Sequence, residues 1–131
     1  MSKPVLSIVI TSGRRKSATV PAVFDTGSFY TIVRRNCLPR GTTVRPLPAP
    51  LRLRAATRGS RLRITGTAEL LIRVGKKVIM DDALVAANLA REIIIGAGTM
   101  HKWDISIKNR NGSTRVVMGR DMHDPEITEV D

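Results

Sequence analysis

The sequence predicts a single all-β domain, because most of the chain divides into short runs of apolar, often β-branched residues separated by turn residues. In several runs apolar and polar residues alternate, as in a strand that buries one face. A chain of 131 residues is also long enough to bury a core and fold alone. We expect residues 1–120 to form this domain and residues 121–131, which contain five acids, to form an acidic tail.

The first predicted unit is an N-terminal hairpin. Residues 5–10 form a β-branched run that ends at a Thr-Ser-Gly turn, and residues 18–24 return as its second arm. Residues 32–33 begin another strand or a short turn. The prolines between residues 46 and 50 indicate an irregular connection or a sheet edge, since proline cannot donate to a ladder of backbone hydrogen bonds.

A second hairpin is predicted between residues 51 and 65. Leucine and arginine alternate in the first arm, and arginine alternates with apolar residues in the second, around a Thr-Arg-Gly-Ser turn. Gly66 breaks this pattern, so we expect the hairpin to end there and a separate, longer strand to cover residues 68–74.

The C-terminal half contains an acidic pair and a strongly apolar run. Asp81 and Asp82 are adjacent, and adjacent residues on a strand point to opposite faces, so we expect them at a turn or strand end rather than as a catalytic pair. Residues 92–96, Glu-Ile-Ile-Ile-Gly, predict a strand buried on both faces. The last predicted elements are a short helix and two strands, at residues 97–103, 104–107 and 116–118.

The formal net charge of +11 is unevenly distributed along the chain. Nine arginines and no acid lie between residues 34 and 63. Because many of them alternate with apolar residues, we interpret them as the solvent-facing side of strands. A nucleic-acid surface is the alternative interpretation, and the aromatic content of 3% makes it the less favoured one, because bases stack on aromatic side chains.

The single cysteine, Cys37, leaves no internal disulfide and indicates a reducing compartment, so we expect a cytoplasmic location. We interpret it as a structural thiol, since neither His101 nor His123 forms a recognisable catalytic motif with it. These three residues are not spaced as a zinc ligand set, and no metal or organic cofactor is expected. No apolar run has the length of a membrane span, so no membrane partner is expected.

The most informative stretch is Asp25-Thr26-Gly27-Ser28, which lies between apolar residues that predict two strands. Asp25 is the only acid between residues 1 and 68. A carboxylate at such a turn is costly unless it is hydrogen-bonded or used in chemistry. A plain β-turn with an Asx-type hydrogen bond is the simpler interpretation of the same four residues.

This turn resembles the active-site turn of the aspartic proteases, in particular their single-domain, retropepsin-like branch. A second segment, Ile94-Ile95-Gly96, resembles the hydrophobic-hydrophobic-glycine segment that runs beneath the catalytic turn in that family. The two motifs lie about 70 residues apart, and the order of predicted elements across residues 4–119 is similar to that of the family.

The resemblance implies a retropepsin-like closed β-barrel with a flap hairpin and one short C-terminal helix, functional as a homodimer. It implies an endopeptidase that cleaves a peptide or protein substrate, with one Asp25 from each subunit activating a water. Thr26 would brace the two turns against each other, and Gly27 would let the substrate backbone approach. The substrate-binding residues implied by the family pattern are Ser28, Arg58, Gly59, Ser60, Ile95 and Gly96.

Three positions depart from the pattern of the viral members. An acidic residue after the catalytic triplet and an arginine after the later glycine are often paired there, and the matching positions hold Phe29 and Ala97. The usual asparagine or aspartate two places after that glycine is Gly98. Two other hypotheses therefore stay open. One is a catalytically idle member of the fold that binds peptide or nucleic acid through its basic surface, and the other is an unrelated basic barrel that binds RNA.

Overall fold

A computed structural model describes residues 3–13, 16–49, 51–54 and 61–123. These residues contain nine strands of 3 to 14 residues, a 3-10 turn at Arg35–Cys37 and one short α-helix, which confirms the predicted all-β class. The elements are β1 (Val5–Thr11), β2 (Ser17–Asp25), β3 (Ile32–Arg34), β4 (Arg52–Arg54), β5 (Arg61–Val74), β6 (Lys77–Ala86), β7 (Ile93–Gly96), α1 (Ala97–Lys102), β8 (Ile105–Arg110) and β9 (Ser113–Met118).

Six of the strands close into a barrel, as predicted. Their order is β1-β2-β7-β3-β6-β5, and β1 pairs back to β5 through residues 9–11 and 71–73. Strand β4 pairs with β5 outside this ring and forms the described part of the second hairpin. Strands β8 and β9 form a separate two-stranded sheet. Residues 121–123 follow β9 and contact β6, where the Met122 N–H donates to the Val78 carbonyl at 2.7 Å. The domain boundary at residue 120 stays a prediction.

The barrel is held together by the alternating apolar residues that the sequence pattern indicated. One face of each long strand points inward, and its side chains are almost completely buried. The largest of these side chains are Phe24, Ile8, Ile10, Leu70, Ile72, Ile79, Ile93, Ile95, Val33 and Val85. A second, smaller cluster lies beneath the β4–β5 hairpin and is formed by Ile32, Leu62, Leu84, Ala86 and Leu89.

The prediction that the second hairpin ends at Gly66 is wrong. Strand β5 continues from Arg61 to Val74, with a bulge between Ile64 and Gly66. The glycine is required by a close backbone approach, because a Cβ atom there would lie 2.2 Å from the Arg45 carbonyl oxygen. Arg45 and Thr67 exchange two backbone hydrogen bonds at this point. The glycine therefore allows a neighbouring segment to pack on a continuous strand.

The prediction that Asp81 and Asp82 lie at a turn or strand end is also wrong, since both lie inside β6. They bind different partners, as expected for neighbours on a strand. Asp82 Oδ1 forms an exposed ion pair with Arg45 Nη2 at 2.8 Å. Asp81 Oδ2 accepts a short hydrogen bond from the hydroxyl of Thr99 in α1. Each carboxylate therefore binds a structural partner, and the two partners lie on opposite sides of β6.

Strand β7 occupies the position on which the barrel depends. It lies between β2 and β3, parallel to the first and antiparallel to the second. Its register places Gly96 opposite Asp25, at the end of β2. A Cβ atom on Gly96 would lie 2.3 Å from the Tyr30 carbonyl oxygen and 2.6 Å from the Phe29 carbonyl oxygen. Only glycine allows this contact.

We therefore expect Gly96→Ala to destabilise the fold by at least about 2 kcal/mol, because the added methyl group meets backbone rather than a movable side chain. Urea unfolding followed by circular dichroism measures this change. Gly13→Ala is the control, since no atom lies within 4 Å of the added Cβ, and it should change the free energy of unfolding by less than about 1 kcal/mol. Equal stability of the two variants would contradict the close approach at Gly96.

Candidate active site

Asp25 is the last residue of β2, and its side chain is 14% exposed. Its Oδ1 atom accepts a hydrogen bond from the Gly27 N–H at 2.9 Å. Its carbonyl accepts one from the Ser28 N–H at 3.1 Å, which closes the turn. The first bond is the Asx-type contact that a plain turn also predicts. A plain turn does not account for the pairing of Asp25 in β2 with Gly96 in β7.

Lys3 contacts the same carboxylate. Its Nζ atom lies 3.0 Å from Asp25 Oδ2, so both carboxylate oxygens have a partner within the chain. The segment before β1 is held against β2 by a hydrogen bond from the Phe24 N–H to the Pro4 carbonyl at 3.0 Å. Lys3 was not predicted as a site residue, although the register of the N-terminal hairpin indicates its position. Val5 pairs with Val23, and two more residues in each direction bring position 3 opposite position 25.

The chain after the turn docks onto the start of α1. The Ala97 N–H donates to the Ser28 carbonyl at 2.5 Å, and the Gly98 N–H donates to the Phe29 carbonyl at 2.9 Å. The Ser28 hydroxyl donates to the Tyr30 carbonyl at 2.8 Å. Two N–H groups of the first helical turn, which have no partner inside a helix, are thereby satisfied.

Two aromatic side chains stand exposed beside the turn. Phe29 is 68% exposed and Tyr30 is 40% exposed, and their rings meet edge to face with centroids 5.2 Å apart. Large exposed aromatic groups usually mark a contact surface rather than a solvated one. Phe29 stands where the viral pattern has an acid, so the surroundings of Asp25 are more apolar than the family pattern implies.

A buried hydroxyl network supports the turn from below. The Gly96 N–H donates to Thr31 Oγ1 at 3.0 Å, and the hydroxyls of Thr31 and Thr99 lie 2.6 Å apart. Thr99 in turn donates to Asp81 of β6. Both threonines are 4% exposed, so each hydroxyl needs a partner inside the protein. The network joins β6, β7, α1 and the chain that follows the Asp25 turn. Sequence reasoning missed it because its members are far apart in the chain.

The sequence-predicted site residues fall into three groups. Asp25, Thr26, Gly27, Ser28 and Gly96 are brought together at the ends of β2 and β7. Ile95 is fully buried in the barrel core and pairs with Phe24, so its side chain does not reach the surface. Arg58, Gly59 and Ser60 lie outside the described residues.

The stem of the flap-like hairpin lies over the second apolar cluster. Leu53 of β4 pairs with Leu62 of β5, where Leu62 belongs to the second apolar cluster and Leu53 packs against it. Ile94, which is the neighbour of the buried Ile95, contacts the same cluster from β7. An apolar surface of partly buried side chains therefore extends from the hairpin stem towards the strand that pairs with Asp25.

In the part of the chain that the structure describes, no three His, Cys, Asp or Glu side chains lie close enough together to hold a metal ion. Cys37 is a free, half-buried thiol. The described helix is also far too short to cross a membrane, and no other described segment forms a helix that could do so.

The comparisons with known proteins support the fold. The sequence matches no family model and no curated protein. The EIAV protease complexed with the inhibitor HBY-793 is similar in structure, with a TM-score of 0.57 and 13% sequence identity over 76% of this chain and 86% of the protease. The retroviral protease-like domain of Ddi1 from Leishmania major is similar with a TM-score of 0.54 and 17% identity, over 92% of this chain and 100% of that domain. At these identities the likeness concerns the fold, and the chain has a retropepsin-like fold.

Proposed function

We propose that the protein is an aspartic endopeptidase that acts as a homodimer on a peptide or protein substrate. The observation that carries this proposal is the position of Asp25, which ends β2 opposite Gly96 in a retropepsin-like barrel. A carboxylate at this point of the fold, followed by an exposed Thr-Gly, is what the proposed reaction requires from each subunit. We also propose, from the free Cys37, a cytoplasmic location.

The reaction needs two carboxylates that share one proton. The ionised group removes a proton from a water, which attacks the carbonyl carbon of the peptide bond, while the protonated group hydrogen-bonds to the carbonyl oxygen. The amine then leaves with a proton from the pair. The side-chain contacts of Asp25 in the described residues are with Lys3 and the Gly27 amide, not with another carboxylate. We propose that the second carboxylate comes from a second copy of the chain, related to the first by a two-fold axis.

The neighbouring residues take roles that follow from their positions. Thr26 and Gly27 are exposed at the turn, where Thr26 is free to contact a partner turn and Gly27 to admit substrate backbone. A Cβ on Gly27 would lie 3.1 Å from Asp25 Oδ1, so glycine also preserves the position of the carboxylate. Ser28 and Gly96 hold the turn. We propose that Arg58, Gly59 and Ser60 close over the substrate, and that Ile95 acts only by packing.

The substrate we propose has apolar side chains next to the cleaved bond. Phe29 and Tyr30 provide exposed aromatic surface beside the turn, and Leu53 and Ile94 belong to the apolar cluster beneath the hairpin stem. Burial of substrate side chains on such surfaces supplies binding energy in proportion to the apolar area removed from water.

Asp25→Asn should abolish cleavage of an unbiased peptide library, because asparagine cannot accept the proton from water in the paired site. The fold should be retained, since the side chains are nearly isosteric. Cleavage is measured by mass spectrometry of the library products. Asp82→Asn, which removes an exposed surface carboxylate, is the matched control and should retain full activity. Wild-type cleavage by Asp25→Asn protein, purified identically, would show that the aspartic-protease mechanism is wrong.

Lys3→Ala should tighten the dimer, because the Lys3 ammonium group occupies Asp25 Oδ2, where the carboxylate of the second subunit has to approach. The dissociation constant should fall by at most about thirtyfold, since each of the two Lys3–Asp25 ion pairs in a dimer contributes about 1 kcal/mol or less. Sedimentation over a concentration series measures the dissociation constant. Lys76→Ala changes the net charge equally at an exposed turn and should leave the dimer unchanged. A weaker dimer in Lys3→Ala would mean that Lys3 supports the interface instead of competing with it.

A further inference from the structure

The stem of the β4–β5 hairpin carries a ladder of arginines on its outer face. The antiparallel register places Arg52 opposite Arg63, and Arg54 opposite Arg61, with Leu53 and Leu62 between the two pairs. The side chains of Arg52, Arg61 and Arg63 are exposed, whereas Leu62 is buried against the second apolar cluster. We call Arg52, Arg61 and Arg63 the arginine ladder.

Like charges directly opposite each other on neighbouring strands destabilise a hairpin. Within the described residues, no member of the ladder forms an ion pair that would offset this repulsion. The arrangement is therefore unfavourable for the isolated protein, and an anion bound across the ladder relieves it. A surface that only contacts water needs charged side chains for solubility. It does not need like charges directly opposite each other on neighbouring strands.

The β5 backbone that carries Arg61 and Arg63 is held by a neighbouring side chain. The Asn88 side chain accepts from the Arg63 N–H at 2.8 Å and donates to the Arg61 carbonyl at 2.9 Å. It thereby satisfies two backbone groups that would otherwise pair with a neighbouring strand. Arg35 adds a further guanidinium close to one end, since its Nη1 donates to Thr65 Oγ1 at 3.2 Å, two residues beyond Arg63. Because this backbone is already hydrogen-bonded, a ligand of the ladder has to order only the arginine side chains, which lowers the conformational entropy lost on binding.

We propose that the arginine ladder binds the phosphate backbone of a nucleic acid. Successive residues on one face of a strand are on the order of 6.8 Å apart. That repeat equals the distance along the helix axis over about two nucleotides of one duplex strand. Arginine guanidinium groups bind phosphate through paired hydrogen bonds. The regular spacing of the ladder arginines matches the regular spacing of phosphates along a nucleic-acid strand. An acidic protein would have to place each carboxylate individually opposite an arginine.

This surface is separate from the candidate active site. The ladder arginines alternate with Leu53 and Leu62 along the strands and so lie on the opposite face of the hairpin, and those leucines pack in the second apolar cluster. The described exposed aromatic residues, Phe29 and Tyr30, lie beside the Asp25 turn and not on the ladder. Without aromatic groups to stack on bases, the ladder recognises backbone charge and not sequence. The proposal does not depend on proteolysis.

The test measures binding of the full-length protein to fluorescently labelled duplexes of about 20 base pairs, one of DNA and one of RNA, by anisotropy between about 50 and 200 mM salt. The ladder variant combines Arg52→Gln, Arg61→Gln and Arg63→Gln. The control variant combines Arg73→Gln, Lys76→Gln and Arg110→Gln, which removes the same charge from other exposed positions. A third variant replaces the three ladder arginines by lysine.

The ladder variant should lose at least about tenfold in affinity at the lower salt concentration, and its salt slope should fall by about 1 for each arginine removed. The control variant should keep the wild-type slope, and the lysine variant should keep most of the binding. Binding of either duplex supports the proposal, and the two arms distinguish DNA from RNA. Thermal melting confirms that the variants are folded.

Three results would overturn the proposal. The first is the absence of binding by the wild-type protein at low salt. The second is an equal loss in the ladder and control variants, because the net charge alone would then explain binding. The third is displacement of the duplex by an equimolar glutamate-rich peptide, because the ladder would then favour an acidic protein partner.

Discussion

The insertion of strand β7 between β2 and β3 is the constraint on which the rest of the structure depends. It joins the N-terminal hairpin to the remainder of the barrel, in parallel with β2 and antiparallel to β3. The insertion ends at Gly96, whose Cα hydrogen faces the carbonyl groups of Phe29 and Tyr30 too closely for any side chain. The same contact fixes the chain that follows Asp25. The close packing at Gly96, which the barrel needs, therefore also sets the position of the chain around Asp25 in the candidate site.

The polar groups around this contact are arranged so that little is left unpaired. Thr31, Thr99 and Asp81 satisfy the buried Gly96 amide through one connected network. The network joins the Gly96 amide to two neutral hydroxyl groups and one carboxylate, so it uses no buried cation. Above the network, Asp25 is partly exposed and contacts Lys3 at the protein surface. The chain beneath the carboxylate is therefore hydrogen-bonded to three other elements, whereas the carboxylate itself is partly exposed.

Much of the fold could be predicted from local patterns, because strand alternation and turn residues act over a few positions. The N-terminal hairpin and the apolar β7 follow the prediction. The errors came from glycine and aspartate, whose roles depend on distant neighbours. Gly66 contacts Arg45 rather than forming a turn, and Asp81 binds Thr99 from inside a strand. Lys3 was missed because its partner is set by register and not by a motif.

The central claim is that one active site contains an Asp25 from each of two chains. Subunit mixing tests it most directly. A fixed amount of wild-type protein is incubated with increasing amounts of Asp25→Asn protein until subunits have exchanged, and cleavage of a peptide substrate is then measured. If the site is shared, activity falls towards zero as wild-type chains enter mixed dimers that hold a single carboxylate. Activity that stays constant in a large excess of the Asp25→Asn protein would contradict a shared site and, with it, the proposed mechanism.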